Sequence, residues 1–252
     1  MAIHKSNGGG RKNLTFISLV ERTNKHMSAA EIEKDPEHKA PGFLYREADT
    51  GSYALADKLT GFVVSVKTGT DSYTPAGGQP EVYPIATVRL SDNESVKVRL
   101  DQNLGRTVIG LLAANALSHG DGAIDIYVNH IRAGGRIGDG PAFDKDKSFI
   151  NVKPMGADTT EKFKPIYAGD DGQILVDAEG KPAPLPKADI VRFQGKDRYD
   201  WEKINNIAVN TARGLEGFYK DKEASAHNQG AAPAHDDPID LDAAAAAAAP
   251  RA

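Results

Sequence analysis

The stretch Gly61–Leu100 reads GFVVSVKTGTDSYTPAGGQPEVYPIATVRLSDNESVKVRL. Apolar and polar residues alternate in three parts of it, and alternation with a period of two predicts half-buried β-strands. Glycine, proline, aspartate and asparagine separate these parts, as is typical of turns. The stretch therefore predicts three consecutive strands, Phe62–Lys67, Val82–Leu90 and Val96–Leu100.

The residues that follow extend this pattern as far as Pro154. Apolar residues at helical spacing predict a helix over Gly105–Ser118, and the segments Ala123–Arg132 and Ser148–Lys153 predict two further strands. This is the element order of an OB-fold, which binds oligonucleotides or oligosaccharides on its second and third strands and its 1–2 and 4–5 loops. The sequence predicts a mainly β protein: a five-stranded OB-fold barrel with a helix between strands 3 and 4, plus N-terminal and C-terminal α/β extensions.

Changes in composition divide the chain into four predicted parts. A glycine triplet followed by Arg11 and Lys12 predicts a flexible basic arm at the start, and a run of seven alanines marks a disordered end. The parts are residues 1–56, the basic arm and N-terminal extension; 57–156, the OB-fold core; 157–222, a C-terminal extension ending in a helix; and 223–252, an acidic and alanine-rich tail.

The two extensions carry their own predicted elements. Alternating residues predict strands in the N-terminal extension, and prolines interrupt the C-terminal one before an amphipathic pattern begins. The predicted elements are a strand at Leu14–Glu21, a hairpin of Phe43–Ala48 and Ser52–Asp57, a strand at Ile174–Asp177, and a helix from Trp201 to about Tyr219 with Asp200 as its N-cap.

Composition argues against several classes of protein. The 252 residues include no cysteine, and the seven histidines lack the spacing of a zinc site, so we expect no metal. Gly135–Gly140 is glycine-rich but lacks the lysine and serine or threonine that end a phosphate-binding loop, and no serine has the setting of a nucleophile elbow. We therefore expect no enzyme activity and no cofactor. There is no long apolar run and no secretory signal, which favours a cytoplasmic protein without membrane contact.

Strand alternation assigns each predicted strand an inner and an outer face. The inner face is expected to hold apolar residues such as Phe62, Val64, Val66, Val82 and Val98. The outer face is expected to interleave cations with aromatic rings, which suits phosphates and unpaired bases. Its members are Lys67, Tyr83, Arg89, Lys97, Arg99, Tyr127, Phe149 and Lys153.

Two long predicted loops lie beside this face. The first, Thr68–Glu81, carries Tyr73, and the second, Ala133–Lys147, carries Arg136, Phe143 and Lys145. Both are longer than the usual hairpin loop of about 2–5 residues, and long ordered loops are commonly functional. Cationic residues are also common on any solvated sheet face, but such a face does not need three aromatic rings. We therefore expect the outer face and both loops to bind nucleic acid.

The end of the chain carries a short acidic motif after a spacer of small residues. Its acidic and apolar members are Asp236, Asp237, Ile239, Asp240, Leu241 and Asp242. Together with the predicted OB-fold core, this layout resembles bacterial and bacteriophage single-stranded DNA-binding proteins, although here the chain continues through Ala243–Ala252 instead of ending in an aromatic residue. The resemblance covers the predicted core and the tail, about half of the chain. The N-terminal arm and the C-terminal extension are more similar to the additional elements of phage single-stranded DNA-binding proteins.

The resemblance implies a function and partners. It implies a protein that coats single-stranded DNA without strong sequence preference in phage DNA replication, recombination or repair, in the cytoplasm of a bacterial host. The acidic tail would recruit replication or recombination proteins, or occupy the groove when DNA is absent. Two alternatives stay open: a structural or assembly module of a virion or complex without a nucleic-acid role, and a binder of RNA or oligosaccharide. Whether the chain forms a homo-oligomer is also open.

Overall fold

A computed structural model describes most of the chain between the arm and the tail. The described residues are 15–20, 41–46, 53–74, 78–91, 94–120, 122–156 and 163–230. The predicted basic arm and the acidic motif Asp236–Asp242 lie outside them. By its contacts the chain divides into two compact units, Met1–Tyr219 and Lys220–Ala252. The first unit contains every described strand and the first helix.

The described residues form eleven strands and two helices. The strands are β1 (Thr15–Val20), β2 (Gly42–Arg46), β3 (Tyr53–Ala56), β4 (Lys58–Gly61), β5 (Val63–Tyr73), β6 (Glu81–Leu90), β7 (Glu94–Arg99), β8 (Ile124–Ile131), β9 (Lys147–Pro154), β10 (Asp189–Phe193) and β11 (Lys196–Asp200). The helices are α1 (Asn103–His119) and α2 (Glu202–Gly230). The protein is therefore mainly β, as predicted.

The strands form one large mixed sheet and two smaller antiparallel ones. The six-stranded sheet has the order β3-β2-β1-β7-β6-β5, and the others have the orders β4-β8-β9 and β10-β11. Within the large sheet, β1 runs parallel to β7 and every other pair is antiparallel. The predicted N-terminal strand and the predicted hairpin, now β2 and β3, are confirmed.

The predicted five strands are all present but do not close a barrel. Only Phe62 separates β4 from β5, yet β4 pairs with β8 while β5 pairs with β6, so one extended run serves two sheets. Barrel closure would require β9 beside β7, but β1 occupies that edge of β7. No closed barrel is present among the described strands, and the OB-fold is not confirmed.

The inner face of the large sheet packs into the core largely as predicted. Val66, Val88 and Val98 are buried together with apolar residues of α1, β8 and β9. The prediction was wrong for Phe62 and Val64, which are 51% and 47% exposed. The reason is a bulge between Val63 and Ser65, which adds one residue to β5 and breaks the alternation. Val82, also expected inside, is exposed near the start of β6.

Both predicted helices are confirmed, with changes at their ends. Helix α1 is capped by the residue that follows it, Gly120, whose φ of 67° suits glycine. Asp200 caps α2 as predicted, because its Oδ1 accepts a hydrogen bond from the Glu202 N–H at 2.9 Å. Helix α2 packs Ala208, Ala212 and Leu215 into the same core, and it continues to Gly230, well past the predicted end. Neither helix is long and apolar enough to cross a membrane.

Two local predictions required correction, and one element was missed. The predicted strand Ile174–Asp177 is reduced to isolated bridges, Ala168 with Ile174 and Val176 with Pro182. Much of the predicted loop Thr68–Glu81 is instead the paired end of β5, which extends to Tyr73. The hairpin of β10 and β11 was not predicted.

The start of α1 passes so close to the end of β7 that only glycine fits at position 105. A Cβ at Gly105 would overlap the carbonyl oxygen of Arg99. Gly105→Ala should therefore lower the free energy of unfolding by ~1–3 kcal/mol, the usual cost of overpacking. The measurement is the midpoint of unfolding in urea.

The matched control is the same substitution in α2. A Cβ at Gly214 would meet no atom within 4 Å, so Gly214→Ala should raise stability by ~0.5–1 kcal/mol through helix propensity. Equal effects of the two substitutions would contradict the close packing of α1 on β7.

Candidate nucleic-acid interface

The outer face of the six-stranded sheet gathers five of the predicted site residues. We define the outer face as Lys67, Tyr83, Arg89, Lys97 and Arg99. Lys67 on β5 lies opposite Thr87 on β6, which in turn lies opposite Lys97 on β7. Residues two positions apart on a strand share a face. Tyr83 and Arg89 therefore lie on the same side of the sheet as Thr87, and Arg99 lies on the same side as Lys97. The buried valines of these strands occupy the other face.

Arg99 and Tyr83 form a stacked pair at one end of this face. The Arg99 guanidinium carbon lies 3.7 Å from the centroid of the Tyr83 ring, a close cation–π contact. Asp101 holds the guanidinium in place, since Arg99 Nε and Nη2 donate to its two carboxylate oxygens at 3.0 and 2.6 Å. The hydrogen bond to Asp101 raises the pKa of Arg99. Burial, and then the nearby charge of Asp71, raise the pKa of the Tyr83 phenol.

Lys97 is also paired with a carboxylate. Its Nζ donates to Asp71 Oδ2 at 2.7 Å, and this hydrogen bond, together with one from the Ser72 N–H, lowers the pKa of Asp71. Two of the cations predicted to meet phosphate thus have acidic partners, Asp71 and Asp101, that sequence reasoning missed. Asp71 is four positions after Lys67 on the same strand and therefore lies on the same face. A longer predicted first strand, continuing past residue 67, would have placed Asp71 on the outer face.

The β4-β8-β9 sheet carries the remaining strand residues of the predicted site. Tyr127, Phe149 and Lys153 share one face, because Lys153 lies opposite Asp125 and Phe149 opposite Asn129, each two positions from Tyr127. The predicted single face is therefore divided between two sheets. Tyr83, Lys97 and Arg99 are on one, and Tyr127, Phe149 and Lys153 are on the other.

Asp125 organises the second sheet face. Its carboxylate accepts hydrogen bonds from Thr60 Oγ1 at 2.6 Å and from the Tyr127 hydroxyl at 2.9 Å, and it lies 3.0 Å from Lys58 Nζ. Burial of Asp125 opposes ionisation, but these three donors outweigh it, and the pKa of Asp125 is lowered. The ammonium groups of Lys58 and Lys153 lie 4.9 and 5.3 Å from the Tyr127 ring centroid. Lys58 was missed because the short strand β4 gave no clear pattern.

The loop between β8 and β9 is ordered by its own backbone. The Gly134 N–H donates to the Phe143 carbonyl at 2.7 Å, and the Phe143 N–H donates to the Gly135 carbonyl at 2.9 Å. Phe143 lies against Phe149 with a ring-centroid distance of 6.0 Å. A shallow pocket of about 390 Å³ opens at the tip, lined by Ile137, Gly140, Pro141, Ala142, Phe143 and Asp144.

The other predicted loop residues are accessible but more scattered. Arg136 and Lys145 are exposed on the ordered β8–β9 loop. Tyr73 is exposed at the end of β5, opposite Glu81. The structure thus provides an outer face with a stacked Arg–Tyr pair, a second face centred on Tyr127, and an aromatic loop. Comparison with known protein families, curated proteins and solved structures found no match.

The Asp125 interactions predict how stability depends on pH. Because the folded-state pKa of Asp125 lies below its usual value of 3.8, its ionisation favours the folded state above that pH, and this contribution is lost as pH falls through the lower folded pKa. Asp125→Asn should therefore lower the free energy of unfolding at pH 7 by ~1.5–3 kcal/mol. It should also reduce the difference in stability between pH 7 and pH 2.

The measurement is urea unfolding at both pH values for wild type, Asp125→Asn and Asp139→Asn. Asp139 is an exposed loop aspartate and serves as the matched control. An acid-induced loss of stability that is as large in Asp125→Asn as in wild type would contradict the assignment.

Proposed function

We propose that the protein binds single-stranded DNA without strong sequence preference and coats it during DNA replication, recombination or repair. The observation that carries the proposal is the stacked Arg99–Tyr83 pair on a face that also presents Lys67, Arg89 and Lys97. Cations attract phosphates through counterion release, and each base stacked on an aromatic ring contributes ~1–3 kcal/mol largely regardless of sequence.

The ion pairs on this face are compatible with phosphate binding. The side chains of Lys97 and Asp71 are 45% and 33% exposed, and an exposed ion pair contributes only ~0.2–1 kcal/mol. A phosphate oxygen can therefore replace Asp71 as the acceptor for Lys97 at little cost. The two-point pairing of Arg99 with Asp101 is better retained, because it fixes the guanidinium on Tyr83 and keeps that ring in place for stacking.

The strand order supports an open variant of the OB-fold. In this arrangement the run β4–β5 would be the first barrel strand, β6 and β7 the second and third, and β8 and β9 the fourth and fifth, with β1 taking the edge of β7 that β9 would otherwise use. The outer face then corresponds to the nucleic-acid side of strands 2 and 3, and the aromatic β8–β9 loop corresponds to the 4–5 loop. The proposed membership among single-stranded DNA-binding proteins rests on this order and on the acidic tail motif.

Binding is best tested with a fluorescein-labelled oligo-dT, whose anisotropy is followed across a salt series. We expect the affinity to fall linearly on a log–log plot against salt concentration, with a slope of about −0.7 for each phosphate contact. Lys67→Gln and Arg89→Gln should each weaken binding several-fold and reduce the slope by about 0.7. Lys181→Gln, which removes an exposed lysine outside the outer face, is the control.

Substitutions of the two members of the Lys97–Asp71 pair should change DNA affinity in opposite directions. Lys97→Gln should weaken DNA binding, whereas Asp71→Asn should strengthen it, since it removes the competing carboxylate. Undetectable binding of oligo-dT at low salt would refute the proposal, as would equal effects of the two substitutions. Tighter binding to an oligoribonucleotide of the same length would reassign the ligand to RNA.

The acidic tail should compete with DNA for the cationic face. Removal of residues 231–252 deletes four aspartates and one arginine, so truncation after Gly230 should strengthen oligo-dT binding several-fold at low salt and little at high salt. Truncation after Asp242 removes only the final ten residues and should leave the affinity unchanged. If the shorter protein binds no more tightly than the full chain, the tail does not occupy the face.

A further inference from the structure

The β10–β11 hairpin presents aromatic side chains to solvent. Its two-residue turn, Gln194–Gly195, has φ values of 50° and 75° at successive positions, as a tight hairpin turn requires. Ile190 lies directly opposite Tyr199, and Trp201 follows two positions after Tyr199. The exposed fractions are 64% for Ile190, 66% for Tyr199 and 45% for Trp201. Three exposed apolar or aromatic residues in one place are typical of an interaction surface.

The rings of Tyr199, on β11, and of Trp201, just after β11, lie close together on a fixed base. The centroids of Tyr199 and Trp201 are 6.1 Å apart, with an angle of 45° between the ring planes. The guanidinium carbon of Arg106 lies 5.0 Å from the Trp201 centroid. Arg106 is itself buried, and its Nη1 donates to Asn205 Oδ1 at 3.0 Å. Trp201 is therefore held by a cation whose own position is set by α1 and α2.

The same arginine connects the hairpin to the outer face. Arg106 Nη1 also donates to the backbone carbonyl of Asp101 at 2.8 Å, and the side chain of Asp101 holds Arg99 against Tyr83. Contacts thus run without interruption from Tyr83 through Arg99, Asp101 and Arg106 to Trp201, and then to Tyr199. Tyr83 on the sheet and the Trp201–Tyr199 pair are thus the two ends of one network of contacts.

We infer that the aromatic strip formed by Tyr199 and Trp201 is a second base-stacking platform, on which a single DNA strand leaving the outer face continues. The inference rests on the proposed function and extends it to the C-terminal segment, which sequence reasoning left without a role. The occupant is assigned as nucleic acid because contacts through Asp101 and Arg106 connect the strip to the Arg99–Tyr83 pair, the centre of the proposed DNA-binding function. Exposed rings beside a cation are also the surface on which bases stack.

Trp201 is the only tryptophan in the chain, so its emission reports directly on the strip. Oligo-dT of increasing length should quench Trp201 emission once the strand extends beyond the outer face, while anisotropy of the labelled oligomer reports binding at all lengths. Tyr199→Leu and Trp201→Leu keep an apolar side chain but remove the ring. Each should weaken binding of long oligomers roughly tenfold, since one stacked base is lost, and should affect short oligomers much less.

The matched controls are Tyr199→Phe, which retains the ring and should bind normally, and Val176→Ala, which changes an exposed apolar residue outside the hairpin. Urea unfolding midpoints verify that the variants fold. If Trp201→Leu does not fold, the binding of long oligomers by Tyr199→Leu tests the inference. Normal binding of long oligomers by Tyr199→Leu, with unchanged tryptophan emission on binding, would overturn the inference and leave the proposed function standing. Absence of any oligo-dT binding by the wild-type protein would instead refute the proposed function itself.

Discussion

The burial of alternate residues on β5, β6 and β7 is the constraint on which the rest of the structure depends. Val66, Val88 and Val98 are buried in the core, and because neighbouring residues point to opposite sides of a strand, Lys67, Arg89 and Lys97 must lie outside. A shift of one residue in the pairing would exchange the two faces, so the hydrophobic core fixes the register. The proposed interface is thus a direct consequence of how the core is packed.

Arg99 connects this sheet to the later part of the chain. It stacks on Tyr83 and pairs with Asp101, whose carbonyl accepts from Arg106 beneath Trp201. The close approach of α1 to β7 at Gly105 holds these groups together. A ligand that stacks on Tyr83 and on Trp201 would meet rings already fixed in place, which reduces the entropy lost on binding.

Much of the fold could be predicted from local pattern, whereas long-range pairing could not. Alternation predicted the strands and the buried face, and Asp200 predicted the start of α2. The bulge at Val64 was missed because the apolar residues continue through it, and the parallel pairing of β1 with β7 has no local signal. Alternation also assigned the strand residues of the predicted site to common faces, but their division between two sheets and their acidic partners depend on that pairing. The β10–β11 hairpin was missed because its strands mix charged with apolar residues.

The most direct measurement is photo-crosslinking of the full-length protein to an oligo-dT that carries 5-iododeoxyuridine, followed by mass spectrometry of the linked peptides. This base crosslinks efficiently to aromatic side chains that stack on it. If single-stranded DNA follows the outer face, crosslinks should concentrate at Tyr83 and, for longer oligomers, at Trp201 and Tyr199. Crosslinks confined to other surfaces, with none on β6, would contradict the account.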